Sequence, residues 1–164
     1  MKRLVIDASV ALKWFLLDEK YGDRALDLLE RFVRGELDLP APSLMVYEVI
    51  NGLVIAQRKG RIVEERVLSS ISGFLNLGIT FVDLAGLEAR VLHFCRVYDR
   101  SAYDASYLAV AEQDSLALVT GDERLHNSTK GKAAWVKWIG GKCWRSEGSG
   151  KGRTKDAGKK ASKL

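Results

Sequence analysis

The chain has 164 residues, 47% of them hydrophobic, which is enough apolar material for one globular domain with a buried core. No run of about 18 apolar residues occurs, and the N-terminus passes directly into strand-like sequence, so we expect neither membrane association nor a signal peptide. Cys95 and Cys143 lie outside any CxxC or CxxH pattern. This excludes the common cysteine zinc motifs and favours a cytoplasmic protein with reduced thiols.

The net charge of +5 is concentrated at the C-terminus. Seven of the 26 Lys and Arg residues and two of the 21 acids lie from Arg145 onward, so residues 1–144 carry 19 of each. We therefore expect a folded domain over 1–140 and a basic Gly/Ser/Lys-rich tail over 141–164 that is disordered. The tail either adds sequence-independent affinity for phosphates or is a solubilising or partner-ordered extension.

Strand-like and helix-like segments alternate along the domain. Short apolar runs predict five strands, at 3–7, 37–41, 79–84, 116–120 and 133–139. Helical patterns cover 8–17, 21–36, 43–60, 62–78, 86–99 and 101–114, with a turn or short helix at 121–128. Ser43 is the expected N-cap of the third helix. Strands separated by helices predict a parallel sheet with helices on both faces, a fold that collects functional residues at its carboxyl edge.

Four acidic residues are expected at that edge. Asp7 ends the first strand and Asp122 follows the fourth strand, so both acids reach the same edge if these two strands are neighbours. The helix 101–114 runs back to the start of the fourth strand, so Asp104 near its N-terminus lies at the carboxyl edge. The helix 43–60 follows the second strand and also begins there, with Glu48 about one and a half turns in. These acids, far apart in sequence, are predicted to converge.

Each acid also has a purely structural interpretation. Asp7 is a natural N-cap, Ser101 and Asp104 fit a capping box, Asp122 fits a turn, and Glu48 fits a solvated helix position. Asp104 shares a helix face with apolar residues, where an ionised carboxylate needs a compensating partner. We find no Lys or Arg beside Asp7 or Asp104 in the sequence to pair with them, although a distant cation remains open.

Clustered carboxylates repel one another, and a divalent cation relieves the repulsion. Carboxylate oxygens suit Mg²⁺ or Mn²⁺, whereas zinc favours His and Cys, and we interpret His93 and His126 as incidental. Such a site can hydrolyse a phosphodiester, because a carboxylate holds or deprotonates the attacking water while the metal stabilises charge on the phosphate. No P-loop or dinucleotide-binding motif is present.

Four motifs together resemble a known family. The segments LVIDASVALKWF, PSLMVYEVINGL, SAYDASYLAVAE and LVTGDERL, in this order over about residues 1–140, are similar to the PIN domain and, more narrowly, to the VapC toxins of VapBC toxin–antitoxin systems. The resemblance implies a three-layer α/β/α fold with a central parallel sheet of about five strands. It also implies a Mg²⁺- or Mn²⁺-dependent endoribonuclease.

The resemblance assigns roles by position. Asp7 and Asp104 match the principal metal ligands, and Glu48 and Asp122 match the acids that complete the pocket through direct or water-mediated contacts. Three further residues match supporting positions or face the same way: Ser9, Thr120 and Asn51. Ser9 and Thr120 would orient the acids or metal waters, whereas Asn51 either orients Glu48 or faces solvent.

The resemblance further implies an RNA substrate, a homodimer and a VapB-type antitoxin whose C-terminal segment lies across the active site. Trp14, Phe15 and Leu16 either accept an antitoxin helix or belong to the core or dimer surface. Three rivals remain: a PIN nuclease outside toxin–antitoxin systems, a non-catalytic RNA-binding module, and a Mg²⁺-dependent receiver or phosphatase fold. The single acid in the segment IDAS disfavours the last.

Overall fold

The computed structural model describes residues 1–141 and contains seven short strands and seven helices in that range. The predicted tail over 141–164 lies outside these residues except for its first residue. The strands are β1 Lys2–Arg3, β2 Val5–Ile6, β3 Leu37–Asp38, β4 Ala41–Pro42, β5 Phe81–Val82, β6 Leu118–Thr120 and β7 Val136–Trp138. The helices are α1 Ala8–Leu12, α2 Gly22–Val33, α3 Met45–Arg58, α4 Glu64–Leu75, α5 Glu88–Tyr98, α6 Ala102–Gln113 and α7 Glu123–Thr129.

The strands form three parallel ladders, β1–β3, β2–β6–β7 and β4–β5, that follow one another across a single sheet. Leu4 links the first two ladders: its N–H donates to the carbonyl of Asp38, while the N–H of Val5 donates to Ala117 on the other side. The strand order is therefore 81–82, 37–42, 2–6, 118–120, 136–138. This confirms the predicted α/β class with a central parallel sheet of five strands.

Two prolines explain why the second strand is split. The N–H groups of Ala41 and Ser43 donate toward β5, to Thr80 and Val82. Pro40 and Pro42 occupy the alternate positions, whose N–H groups would otherwise point toward the strand 2–6. The hydrogen bonds between these two strands therefore stop after Asp38. Ser43 does not cap α3, which begins at Met45 without a side-chain cap.

The core is built around the strands that end at the predicted site. β2 and β6 are buried throughout, and α6 carries seven consecutive buried residues, 105–111. A helix buried on nearly every face is apolar all round, which matches its position against α5 and the strands β2, β4 and β6. The N-terminus of α6 is thereby fixed relative to the carboxyl edge of the sheet.

The first helix is shorter than the sequence predicts, because the chain turns after Leu12. The indole N–H of Trp14 donates to the carbonyl of Ala25 at 2.9 Å. Trp14 and Leu16 are buried and Phe15 is half-buried, so Trp14 and Leu16 belong to the core, as one of the two interpretations predicts, and are not exposed to accept an antitoxin helix. Leu17 is the exposed apolar side chain of this segment, with 73% of its surface accessible.

No helix among residues 1–141 has both the length and the apolar character needed to span a bilayer.

Candidate active site

Asp7 lies at the end of β2 and is the N-cap of α1. Its Oδ1 accepts hydrogen bonds from the Ser9 hydroxyl and from the Val10 N–H at 3.2 Å, and its Oδ2 accepts from the Thr120 hydroxyl. Burial raises the pKa of Asp7 to about 6 although these hydrogen bonds oppose the change. A buried carboxylate that forms no ion pair with any residue of the range 1–141 is therefore fixed at the carboxyl edge.

The two hydroxyls are held by the backbone that follows β6. The Ser9 hydroxyl accepts from the Gly121 N–H at 2.7 Å, and the Thr120 hydroxyl accepts from the Asp122 N–H at 2.9 Å. Each hydroxyl oxygen accepts a hydrogen bond from a backbone N–H and donates its own O–H to Asp7. A Cβ at Gly121 would lie 2.8 Å from Lys13 Cε and 3.0 Å from the Ser9 hydroxyl, so a larger residue here would have to displace both side chains.

Asp104 is compensated by a cation that the sequence interpretation missed. Arg100 lies one helical turn earlier, and its Nη2 and Nε lie 2.8 and 3.0 Å from Asp104 Oδ2. The same Nη2 lies 3.7 Å from Asp122 Oδ2. The expectation that no Lys or Arg near Asp104 in the sequence pairs with it is therefore wrong. The i, i+4 spacing of Arg100 and Asp104 was the available signal.

Glu48 is held by Tyr107, a second residue that the sequence interpretation missed. The Tyr107 hydroxyl donates to Glu48 Oε2 at 2.6 Å, and burial together with this carboxylate strongly raises the pKa of Tyr107. The pKa of Glu48 is also raised, first by burial and then by the charges of Asp7 and Asp104, although the Tyr107 hydrogen bond opposes this. Tyr107 stands three residues after Asp104 on α6, which places both near one helix face.

The remaining candidates lie at the margin. Asn51 is exposed on α3 and makes no hydrogen bond to Glu48 in the part of the chain described. His93 is exposed, and the ring of His126 stacks on Trp138 with centroids 6.1 Å apart. Neither histidine contacts the acids through any of the interactions found.

The four acids act on one another electrostatically at the carboxyl edge. Asp122 opposes ionisation of Asp7, Asp7 and Asp104 oppose ionisation of Glu48, and Arg100 lies between Asp104 and Asp122. Within residues 1–141, no three His, Cys, Asp or Glu side chains are already arranged as a metal cage. The donor set nevertheless fits a hard divalent cation, because all four side chains offer carboxylate oxygens, the ligands that Mg²⁺ and Mn²⁺ favour.

Comparisons with known proteins point to one protein family. Residues 4–130 match the PIN domain. "VapC ribonuclease Mb0985" of Mycobacterium bovis and "Ribonuclease VapC9" of Mycobacterium tuberculosis are each 33% identical to this chain over 125 residues, covering 76% of this chain and 90% of the relative. The crystal structure of PAE2754 from Pyrobaculum aerophilum matches with a TM-score of 0.56 and 28% identity, over 80% of this chain and 88% of that one.

The fold and the family match define a PIN-domain protein. The chain belongs to the PIN-domain family and, within it, to the VapC-type ribonucleases.

The burial of Asp7 predicts a pH-dependent stability difference between the wild type and Asp7→Asn without metal. The pKa of Asp7 in the folded state is about 6, above the ordinary value of 3.8, so the folded protein binds the extra proton between these values. This contribution to stability is present at low pH and lost as the pH rises through 6. Between pH 5 and pH 7.5, the wild type should lose about 1 kcal/mol relative to the variant.

Urea denaturation in EDTA at several pH values measures this difference. Any hydrogen bond lost in Asp7→Asn shifts its stability by a similar amount at every pH, whereas the titration of Asp7 changes the slope. Parallel stability–pH curves for the two proteins would contradict the assigned burial of an ionised Asp7.

Proposed function

We propose that this protein is a Mg²⁺-dependent endoribonuclease, with Mn²⁺ as an alternative ion, and the toxin of a VapBC-type toxin–antitoxin module. The observation that carries the proposal is the grouping of Asp7, Glu48, Asp104 and Asp122 at the carboxyl edge, where Arg100 offsets part of their charge. The family membership of the chain supports the same chemistry.

In this proposal Asp7 and Asp104 are the principal ligands of the metal, and Glu48 and Asp122 complete the pocket directly or through water. A bound Mg²⁺ supplies charge stabilisation for the phosphate and lowers the pKa of a coordinated water. The hydroxyls of Ser9 and Thr120 keep the Asp7 carboxylate in one orientation, so little reorganisation is needed when a cation arrives.

Glu48 is the carboxylate best suited to take the proton of the attacking water. Its pKa is raised above the ordinary range for a glutamate, which makes it a stronger base than a solvated carboxylate. One of its oxygens is held by Tyr107, and this hydrogen bond fixes the side chain. Tyr107 is thus a positioning residue that acts through Glu48.

The partners in this proposal are RNA, a second copy of the chain and a VapB-type antitoxin, all in the cytoplasm. An open cleft of about 440 Å³ offers a place for an apolar antitoxin segment. It is lined by Phe15, Leu17, Asp18, Arg61, Ile62 and Arg66. Phe15 keeps the role first suggested for Trp14, Phe15 and Leu16, and Leu17 joins it, because the side chains of Phe15 and Leu17 remain accessible.

Cleavage of a labelled structured RNA by the purified, antitoxin-free protein tests the proposal. We expect cutting with Mg²⁺ or Mn²⁺, none in EDTA, and a loss of at least about 100-fold in Asp7→Asn and Asp104→Asn. Arg90→Gln, which removes an ion pair to Glu112 away from the four acids, is the control and should retain the wild-type rate.

The outcomes separate the alternatives. Cutting that survives both acid substitutions would show a contaminant or a misplaced active site. Absence of cutting by folded wild type across several RNAs would favour a non-catalytic RNA-binding module.

Tyr107→Phe should lower the cleavage rate about tenfold near pH 6.5 and less at pH 8.5. The hydroxyl lowers the pKa of Glu48, so its removal raises that pKa further and moves the acidic limb of the pH–rate profile to higher pH. The control is Tyr98→Phe, which removes the hydroxyl of a buried tyrosine on α5 and should leave the profile unchanged. A wild-type profile in Tyr107→Phe would exclude the positioning role.

A further inference from the structure

Arg100 occupies a backbone position that is fixed on both sides. It lies in the three-residue connection between α5 and α6, and its N–H donates to the carbonyl of Cys95 at 3.2 Å. Asp99 before it has a left-handed backbone with φ 51°, and the Ser101 hydroxyl after it accepts from the Asp104 N–H. The start of the Arg100 side chain is therefore held beside the N-terminus of α6.

The guanidinium is directed at the acids rather than at solvent. Only 19% of the Arg100 side chain is accessible, compared with 84% for Arg124, which lies 3.8 Å from the other oxygen of Asp122. Both close contacts of Arg100 converge on one oxygen, Oδ2 of Asp104, instead of forming a fork across both oxygens. This arrangement places positive charge between Asp104 and Asp122.

Asp104 and Asp122 cannot bind both the guanidinium and a divalent cation as strongly as they would bind either one alone. Asp104 Oδ2 is fully engaged at 2.8 and 3.0 Å, and a second positive charge beside Arg100 would be repelled by it. No Lys or Arg forms an ion pair with Asp7 or Glu48 within residues 1–141. The positive charge of Arg100 is therefore limited to the side of the site that contains Asp104 and Asp122.

We propose that Arg100 is a built-in counter-ion that competes with the divalent cation. In the metal-free chain it neutralises Asp104 and Asp122, and it must release both before the cation binds. This inference rests on the proposed function, because it assumes that these acids bind a metal. If so, Arg100 lowers the affinity of the site for metal. In the metal-free protein it reduces the repulsion between the carboxylates of Asp104 and Asp122.

The direct test is a Mn²⁺ titration, followed by electron paramagnetic resonance, of wild type and Arg100→Gln. Removal of the competing guanidinium should tighten Mn²⁺ binding about three- to tenfold, the range expected for a partly buried charge-assisted pair. Arg100→Lys, which keeps the charge but lacks the second donor group, should lie between them. Unchanged or weaker binding in Arg100→Gln would overturn the proposal.

Two matched controls isolate the effect of Arg100. Arg90→Gln removes another ion pair between α5 and α6, in which Nε lies 2.6 Å from Glu112, so it reports on helix packing alone. Arg124→Gln removes a largely exposed positive charge that lies 3.8 Å from Asp122, about as far as Arg100 does, but forms no ion pair with Asp104. Both should bind Mn²⁺ within about twofold of wild type. If Arg124→Gln increased Mn²⁺ affinity as much as Arg100→Gln does, the effect would come from net charge alone, and this result would contradict competition.

Nuclear magnetic resonance of the Arg100 Nε–H measures displacement without reference to activity. In metal-free wild type this proton should be protected from exchange by Asp104, and saturating Mg²⁺ should remove the protection. A proton that stays protected in the Mg²⁺-saturated protein would contradict displacement even if Arg100→Gln binds Mn²⁺ more tightly.

The failure of this inference is distinguishable from failure of the proposed function. If wild type binds Mn²⁺ and Asp104→Asn does not, the metal site stands whatever Arg100→Gln shows. If no protein binds Mn²⁺, both the site and the competition are refuted.

Discussion

The structure depends on how the Asp7 carboxylate is held at the end of the central strand. Ser9 and Thr120 donate to its two oxygens, and both hydroxyls are in turn fixed by backbone N–H groups of Gly121 and Asp122. These bonds join the first turn of α1 to the loop after β6, across the parallel pair β2–β6. These hydrogen bonds link the strand pairing to the orientation of the buried acid, and the other acids are arranged around this point.

The structural and functional interpretations of the acids are compatible. Asp7 and Asp122 do cap α1 and α7, and the Ser101 hydroxyl caps α6 at Asp104. A helix N-terminus attracts negative charge, so it fixes a carboxylate at low cost in stability. The N-termini of α1, α6 and α7 thus bring three acids to one edge of the sheet without the help of a ligand. Glu48 joins them from α3.

The parallel α/β fold was predictable because it follows from the alternation of strands and helices. The expectation that the acids converge assumed that the first and fourth strands are neighbours, and the pairing of β2 with β6 supplies that adjacency. The ends of the helices were harder to predict. The first helix ends early where the indole N–H of Trp14 donates to the carbonyl of Ala25 on α2, a contact that no local sequence pattern encodes. Arg100 and Tyr107 were missed although both lie within one helical turn of Asp104. The sequence contains many such pairs, and only the fold selects those that meet at the carboxyl edge.

The proposed function depends most directly on the binding of a divalent cation by the four acids at the carboxyl edge. Anomalous diffraction from a crystal soaked in Mn²⁺ tests it directly. A peak about 2.0–2.4 Å from oxygens of Asp7 and Asp104, with Glu48 and Asp122 in direct or water-mediated contact, is the expected result. A peak elsewhere on the surface, with Arg100 still bound to Asp104 at saturating Mn²⁺, would contradict it.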